Sequence, residues 1–119
     1  MKIAMVTPYD LSVPSGVNSH ALHLANGLRT MGHSVQVIGP ASNDITYPST
    51  DIRIIGKARG IRFGGSVVRI ALSLDLSRTV RELLRQEMFD VVHIHEPLMP
   101  MLALQFMRHS KTITIGTFH

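Results

Sequence analysis

"KIAMVTPYDLSVPSGVNSHALHLANGLRTMGHSVQVIG" runs from Lys2 to Gly39, and its hydrophobic period changes twice. "KIAMVT" (Lys2 to Thr7) is a continuous apolar run without alternation, the pattern of a strand buried on both faces. A helical stripe follows, with Val17, Ala21, Leu24, Ala25, Leu28 and Met31 on one side. Gly32 closes that helix as the residue just past its C-cap. "SVQVIG" (Ser34 to Gly39) is a second strand. Strand, helix and strand joined by short connections predict a right-handed crossover between parallel strands.

The remainder repeats this grammar. "PASNDITYPST" (Pro40 to Thr50) reads as a loop, and "DIRIIG" (Asp51 to Gly56) as a third strand. Residues 57–66, "KARGIRFGGS", are basic, Gly-rich and expected to be mobile. A helical pattern is read from Val67 to Met88, with Leu76, Val80, Leu83, Leu84 and Met88 on one face. "DVVHIH" is the fourth strand, "LMPMLALQFMRH" a helix apolar nearly all round, and "KTITIGTFH" a fifth strand. The predicted fold is α/β: a Rossmann-like parallel sheet of about five strands with helices on both faces. The chain is read as one domain, residues 1–119. Its last strand is an open edge, so it is expected to be the front part of a longer protein.

Composition narrows the function classes. A chain of 119 residues buries roughly 65% of its unfolded surface, enough for a core. Hydrophobic residues make up 45% and charged residues 17%, which argues against disorder. No apolar run reaches the roughly 18 residues of a membrane span, and the N-terminus lacks signal-peptide character. Without cysteine there is no disulfide framework or thiolate metal site. The net charge of +4 points to an anionic partner: nucleic acid, a phosphate-bearing substrate or a membrane surface. Four Phe, two Tyr and no Trp leave little for bases to stack on, so nucleic acid is the weakest of the three.

Parallel sheets bind ligands beyond the carboxyl ends of their strands, at the switch point, here between the first and fourth strands. The segments after those ends are "TPYDLSVPSG", "HEPLMP" and the terminal "TFH", so the unusual residues gather at one edge. Ser15 suits an N-cap, leaving the amides of Gly16 and Val17 free at the positive end of a helix. Such amides accept a phosphate, and Gly16 has no Cβ to obstruct it; a plain capped turn is the other reading. There is no G-x-G-x-x-G, and the second strand ends in Gly39-Pro40 without an acid for a ribose, which disfavours a nicotinamide dinucleotide.

His93 and His95 share a strand face. An H-x-H pair alone is a weak metal signal, even with His119 nearby, so the expected use is hydrogen bonding or acid–base work and no metal is assigned. His20 flanks the apolar stripe within reach of the cleft, and His23 is placed on the surface. Arg78, Arg81 and Arg85 recur at helical spacing opposite the leucines, and Lys57, Arg59, Arg62 and Arg69 crowd the segment before them. A cationic face suits an anionic membrane, each charge adding about 1 kcal/mol near it; a solvated helix face is the alternative.

Taken together, the Met1–Pro40 block, "FDVVHIHEP" and "TFH" resemble the N-terminal domain of retaining GT-B glycosyltransferases of family four. Within that family the sequence is similar to the phosphatidylinositol mannosyltransferases, and the likeness covers the whole chain. The P-x-G-V turn and the H-x-H-E-P block are its specific parts. The resemblance implies transfer of mannose from GDP-mannose, with retention, to a membrane lipid such as phosphatidylinositol. It implies no cofactor and no required metal. Its partners are the nucleotide sugar, the lipid acceptor, an anionic membrane surface and a C-terminal donor domain, with no nucleic acid. The implied location is cytoplasmic, peripheral at the inner face of the plasma membrane.

By the same resemblance His119 is the active-site group beside the transferred sugar. Ser15, Gly16 and Val17 approach the donor phosphate and sugar, with Ser15 standing where the family usually has a first glycine. Tyr9, Asn18, Glu96 and Arg69 line the acceptor side, Asn18 replacing a usual Gln. Arg78, Arg81 and Arg85 face the membrane. The family's nucleotide pocket lies mainly in the second domain, so residues 1–119 alone are expected to be inactive. Alternatives are a non-catalytic module for anionic lipid or phosphate, another GT-B glycosyltransferase with a small-molecule acceptor, or a sugar-nucleotide epimerase.

Overall fold

The computed structural model describes residues 1–43, 51–56, 58–63, 66–71, 76–99 and 102–119, with the backbone alone for residues 58–63 and 66–71. Among the described residues seven strands and three helices follow in chain order: β1 (Lys2–Val6), α1 (Gly16–Thr30), β2 (Ser34–Gly39), β3 (Ile52–Ile54), β4 (Ala58–Phe63), β5 (Ser66–Ala71), α2 (Leu76–Glu87), β6 (Val91–His95), α3 (Leu102–His109) and β7 (Ile113–Thr117). Five strands form a parallel sheet in the order β3-β2-β1-β6-β7, while β4 and β5 form a separate antiparallel pair. The order reverses direction at β1, between β2 and β6, where the sequence places the cleft.

The unbroken apolar runs have the predicted cause. In β1, Ile3 and Met5 enter one core with Val35, Val37, Val91 and the α1 residues Ala21 and Ala25. Ala4 and Val6 enter the other with Ile38, Val92, Ile94, the α2 residues Leu76, Val80 and Leu83, and the α3 residues Leu102, Ala103 and Phe106. Side chains alternate across a strand, so each central strand feeds both cores and has no solvent face. The α/β class, the five parallel strands and the helices on both faces therefore stand as expected.

Helix α1 is closed at both ends by its own sequence. The Ser15 side chain accepts from the Asn18 amide at 3.1 Å. Gly32, at φ 95°, follows the C-cap Met31, and His33 and Gly32 donate backwards to Leu28 and Arg29. That pair of bonds is a Schellman motif, which needs a residue tolerant of left-handed φ. Met31 itself is 73% exposed, so the buried stripe stops at Leu28 and Met31 does not belong to it.

Four expectations need correction. β4 (Ala58–Phe63) and β5 (Ser66–Ala71) pair as antiparallel strands, where a basic loop and a helix from Val67 are expected from the sequence. Gly64-Gly65 between a run with Ile61 and Phe63 and a run with Val67, Val68 and Ile70 is a hairpin signal in the sequence that the basic composition obscured. Within the range read as helix, β5 (Ser66–Ala71) is strand and α2 spans Leu76–Glu87. Met88 is 77% exposed at φ 50°, having left the helix, so it is not on the packed face. In α3, Leu104 and Met107 are exposed, which gives that helix an outer side. Most of the expected loop after Pro40 (residues 44–50), Lys57 and the side chain of Arg69 lie outside the described residues. Among the described residues no helix is long and apolar enough to cross a membrane.

Candidate functional site

The loop leaving β1 is held from three directions. Thr7 donates its amide to Ile38 O at 2.9 Å and Leu11 to Pro40 O at 2.8 Å, tying the loop to the end of β2. Asp10, 2% exposed, accepts from the amides and hydroxyls of both Ser12 and Ser42. Burial alone would raise its carboxyl, yet those hydrogen bonds hold it below its ordinary value. Asn18 supplies the third anchor from inside α1. Its side chain accepts from Thr7 Oγ1 at 2.5 Å and donates to the carbonyls of Tyr9 at 3.2 Å and Asp10 at 3.0 Å. Asn18 is 2% exposed, and its hydrogen-bonding groups are all used within the protein.

This anchoring fixes the start of α1. Ser15 uses its oxygen on the Asn18 amide, and Ser19 donates its amide to Ser15 O. The amides of Gly16 and Val17 make no hydrogen bond among the described residues. Gly16 is exposed, and a Cβ built there meets nothing within 4 Å. The result is a pair of open donors at a helix N-terminus, where the dipole favours an anion.

One turn further along α1, His20 reaches the histidines of the other strand ends. Its ring centroid lies 5.7 Å from that of His95 and 5.3 Å from that of His119, both edge-on. His93 and His95, two apart on β6, lie on the α1 side of the sheet and stack at 4.7 Å. His95 is fully buried, with Nδ1 3.0 Å from His119 Nε2 and Nε2 3.1 Å from Met5 Sδ. Burial pushes His95 down to about 4, with like charge on His93, His119 and His20 acting the same way. His93, bonded to Thr117 Oγ1 at 2.7 Å, is lowered for the same reason.

Glu96 joins the end of β6 to the end of β7. Its amide donates to Thr117 O at 2.8 Å, and its Oε1 accepts the His119 amide at 2.5 Å. It does this at φ 53°, a left-handed backbone that a non-glycine residue rarely takes and that recurs at functional sites. Tyr9 is half-buried nearby; burial raises its phenol, and the Glu96 charge raises it further.

The structure therefore gathers Tyr9, Ser15, Gly16, Val17, Glu96 and His119 around the carboxyl ends of β1, β6 and β7. Arg78, Arg81 and Arg85 are exposed on α2, across the sheet from α1, and form no ion pair among the described residues. Asp10, Thr7 and Met5 were missed in the sequence, where each reads as an ordinary loop or core residue. Only the folded register brings Asp10 to Ser42 and Met5 to His95. No group of three metal-ligating side chains is poised around an ion among the described residues.

The loop after β1, the start of α1 and the strand-end histidines all lie within a stretch that sequence comparison matches to other proteins. Residues 14–119 match the family described as Glycosyltransferase Family 4. The whole chain is 40% identical over 119 residues to the phosphatidyl-myo-inositol mannosyltransferases of Mycobacterium leprae (strain TN) and Mycolicibacterium smegmatis. It is 34% identical over 125 aligned residues to that of Propionibacterium freudenreichii subsp. shermanii. It spans 32%, 31% and 33% of those three proteins, about a third of their length. With the family match running from the cradle to His119, the chain belongs to glycosyltransferase family 4.

Proposed function

We propose that this chain is the acceptor-side, N-terminal domain of a retaining GT-B glycosyltransferase that moves mannose from GDP-mannose to phosphatidylinositol. The observation that carries the reading is the meeting of two features. The open amides of Gly16 and Val17 lie one helical turn from His20, and His20 touches the ring of His119. Phosphate charge and a sugar ring would then sit side by side across the β1–β6 switch point. The names of the relatives supply the lipid acceptor and the sugar.

In this reading the bond from the anomeric carbon to the diphosphate breaks while the acceptor hydroxyl attacks from the same face. The departing diphosphate takes the acceptor proton. The Gly16 and Val17 amides stabilise the charge growing on phosphate, and a single such donor is worth on the order of 10² to 10³ in rate. His119 orients the sugar, held by Glu96 on its backbone and His95 on its ring. Tyr9 and Glu96 face the acceptor. Asn18 enters as a positioning residue, since its side chain is spent on the loop.

No metal or cofactor is assigned a step. The nucleotide pocket belongs to a C-terminal domain, so residues 1–119 alone bind without turning over. Arg78, Arg81 and Arg85, with Arg69 near the acceptor, bring the enzyme to the inner face of the plasma membrane as a peripheral protein. The test is transfer from GDP-mannose to vesicles containing phosphatidylinositol, using the full-length protein and its His119→Ala variant. The expected result is transfer by the parent and a steep loss in the variant at nearly unchanged nucleotide affinity. An unchanged rate removes His119 from the mechanism. Vesicle binding without transfer by the parent favours a lipid-binding module instead.

A further inference from the structure

Met5 is the partner that gives the buried histidine a direction. Its sulfur lies 3.1 Å from His95 Nε2, with both side chains fully buried. A thioether can accept a hydrogen weakly but cannot donate one. If Nε2 of His95 carried the lone pair, it would face sulfur lone pairs where no water can intervene. The proton of neutral His95 therefore belongs on Nε2, which leaves Nδ1 as an acceptor.

That Nδ1 is 3.0 Å from Nε2 of His119. An acceptor on His95 requires a donor on His119, so Nε2 of His119 carries the hydrogen. The other ring nitrogen, Nδ1, makes no hydrogen bond among the described residues, and the residue is exposed. We propose that Met5 and His95 act as positioning residues that fix His119 in its Nε2–H tautomer, presenting Nδ1 as a hydrogen-bond acceptor to a hydroxyl of the bound sugar. The inference rests on the reading of His119 as the sugar-facing group and adds the means by which its lone pair is aimed.

The titratable groups that face the His95–His119 pair come from each packed element. His20 comes from α1, His93 and His95 from β6, Glu96 follows β6 and Tyr9 follows β1. Burial among the other imidazoles keeps His95 neutral near pH 7, so it remains an acceptor for His119. Glu96 holds the backbone of the same residue through its amide, so ring and main chain are fixed by different groups.

The experiment is a two-bond proton–nitrogen correlation spectrum of the protein labelled with ¹⁵N-histidine, recorded near pH 7.5. The expected pattern gives His95 and His119 each one protonated Nε2 and one unprotonated Nδ1. A His119 spectrum showing Nδ1–H, or an average of both tautomers, overturns the proposal. Met5→Leu supplies the second arm, since this near-isosteric exchange is well tolerated in a core. It is expected to shift His119 towards a mixture of tautomers and to lower kcat of the full-length enzyme several-fold at unchanged donor KM. A His119 tautomer left intact by Met5→Leu removes Met5 from the relay. The spectrum is read without turnover, so it decides the tautomer even where the His119→Ala assay removes the sugar-facing role.

Discussion

The Glu96 carboxylate accepts the backbone amide of His119 at 2.5 Å, closing the end of β6 onto the end of β7. Glu96 holds this bond from a left-handed backbone at φ 53°. A conformation of that kind costs about 1 to 3 kcal/mol and persists only where neighbours enforce it. Here the enforcing bonds run to Thr117 O and from Met99 N.

Removing the carboxylate tests whether this closure aims His119. Glu96→Ala is expected to lower transfer by the full-length enzyme about tenfold to a hundredfold, since a misplacement near 1 Å costs up to about 10². Glu96→Gln keeps an acceptor oxygen and is expected to retain most of the rate. The same Gln variant removes a negative charge beside Tyr9, so its phenol should titrate lower, with the effect of burial remaining. Comparing ultraviolet pH titrations of the Glu96→Gln protein with and without Tyr9→Phe isolates that phenol. A Tyr9 titration unmoved by Glu96→Gln would separate the two residues.

Asn18→Ala strands Thr7 Oγ1 and the carbonyls of Tyr9 and Asp10 in a buried place. The expected loss is about 1 to 3 kcal/mol, the usual range for orphaned buried groups. Urea unfolding measures it. A midpoint unchanged from the parent would mean the loop is held without Asn18.

Stability is expected to fall as pH drops from about 6.5 towards 4. A histidine in the unfolded chain protonates near 6.5, whereas burial keeps His95 neutral in the fold down to about 4. Between those values the unfolded state binds more protons, so unfolding is favoured by acid. The full separation corresponds to on the order of 3 kcal/mol. His93 contributes in the same direction. Urea midpoints at pH 7, 5.5 and 4.5 should decline in the parent and decline less in His95→Phe. Parallel declines would place the linkage elsewhere.

Three glycines should answer to alanine with different signs. Gly27 lies within α1 with nothing within 4 Å of an added Cβ, so Gly27→Ala is expected to stabilise by about 0.5 to 1 kcal/mol. Gly32→Ala must hold φ 95° and is expected to destabilise by about 1 kcal/mol or more. Gly39→Ala would press within 3.0 Å of Thr7 and Leu11, at an expected cost of about 1 to 3 kcal/mol. Thermal midpoints of the three variants check the order.

Replacing Arg78, Arg81 and Arg85 together with alanine should weaken binding of the full-length protein to anionic vesicles by about a hundredfold. Each charge close to such a surface is worth about 1 kcal/mol. The three side chains are exposed, so the fold should be unaffected. Co-sedimentation at low and physiological salt provides the measurement, and equal binding by parent and variant would assign membrane contact to another face.

The sequence by itself determined the α/β class, the five parallel strands and the switch point beside β1. Continuous apolar runs belong to strands covered on both sides, and the caps at Ser15 and Gly32 are local chemistry that needs no partner from afar. It misread β4 and β5, because basic residues and glycine masked the β-branched content of two paired strands. It also extended two apolar stripes by one residue each, to Met31 and Met88, where the backbone had already left the helix.

Only the tertiary structure decided how the site is supported. Asp10 meets Ser42 across 32 positions, and Met5 meets His95 across 90. Periodicity reports which face a residue takes, but not its partner on another strand. Strand register sets those partners: Met5 pairs with His93, and His95 with Thr117. The same register stacks His119 on the His93–His95 pair that the sequence already places on one strand face. Burial then settles their charge, since desolvation acts on the assembled cluster and not on any segment read alone.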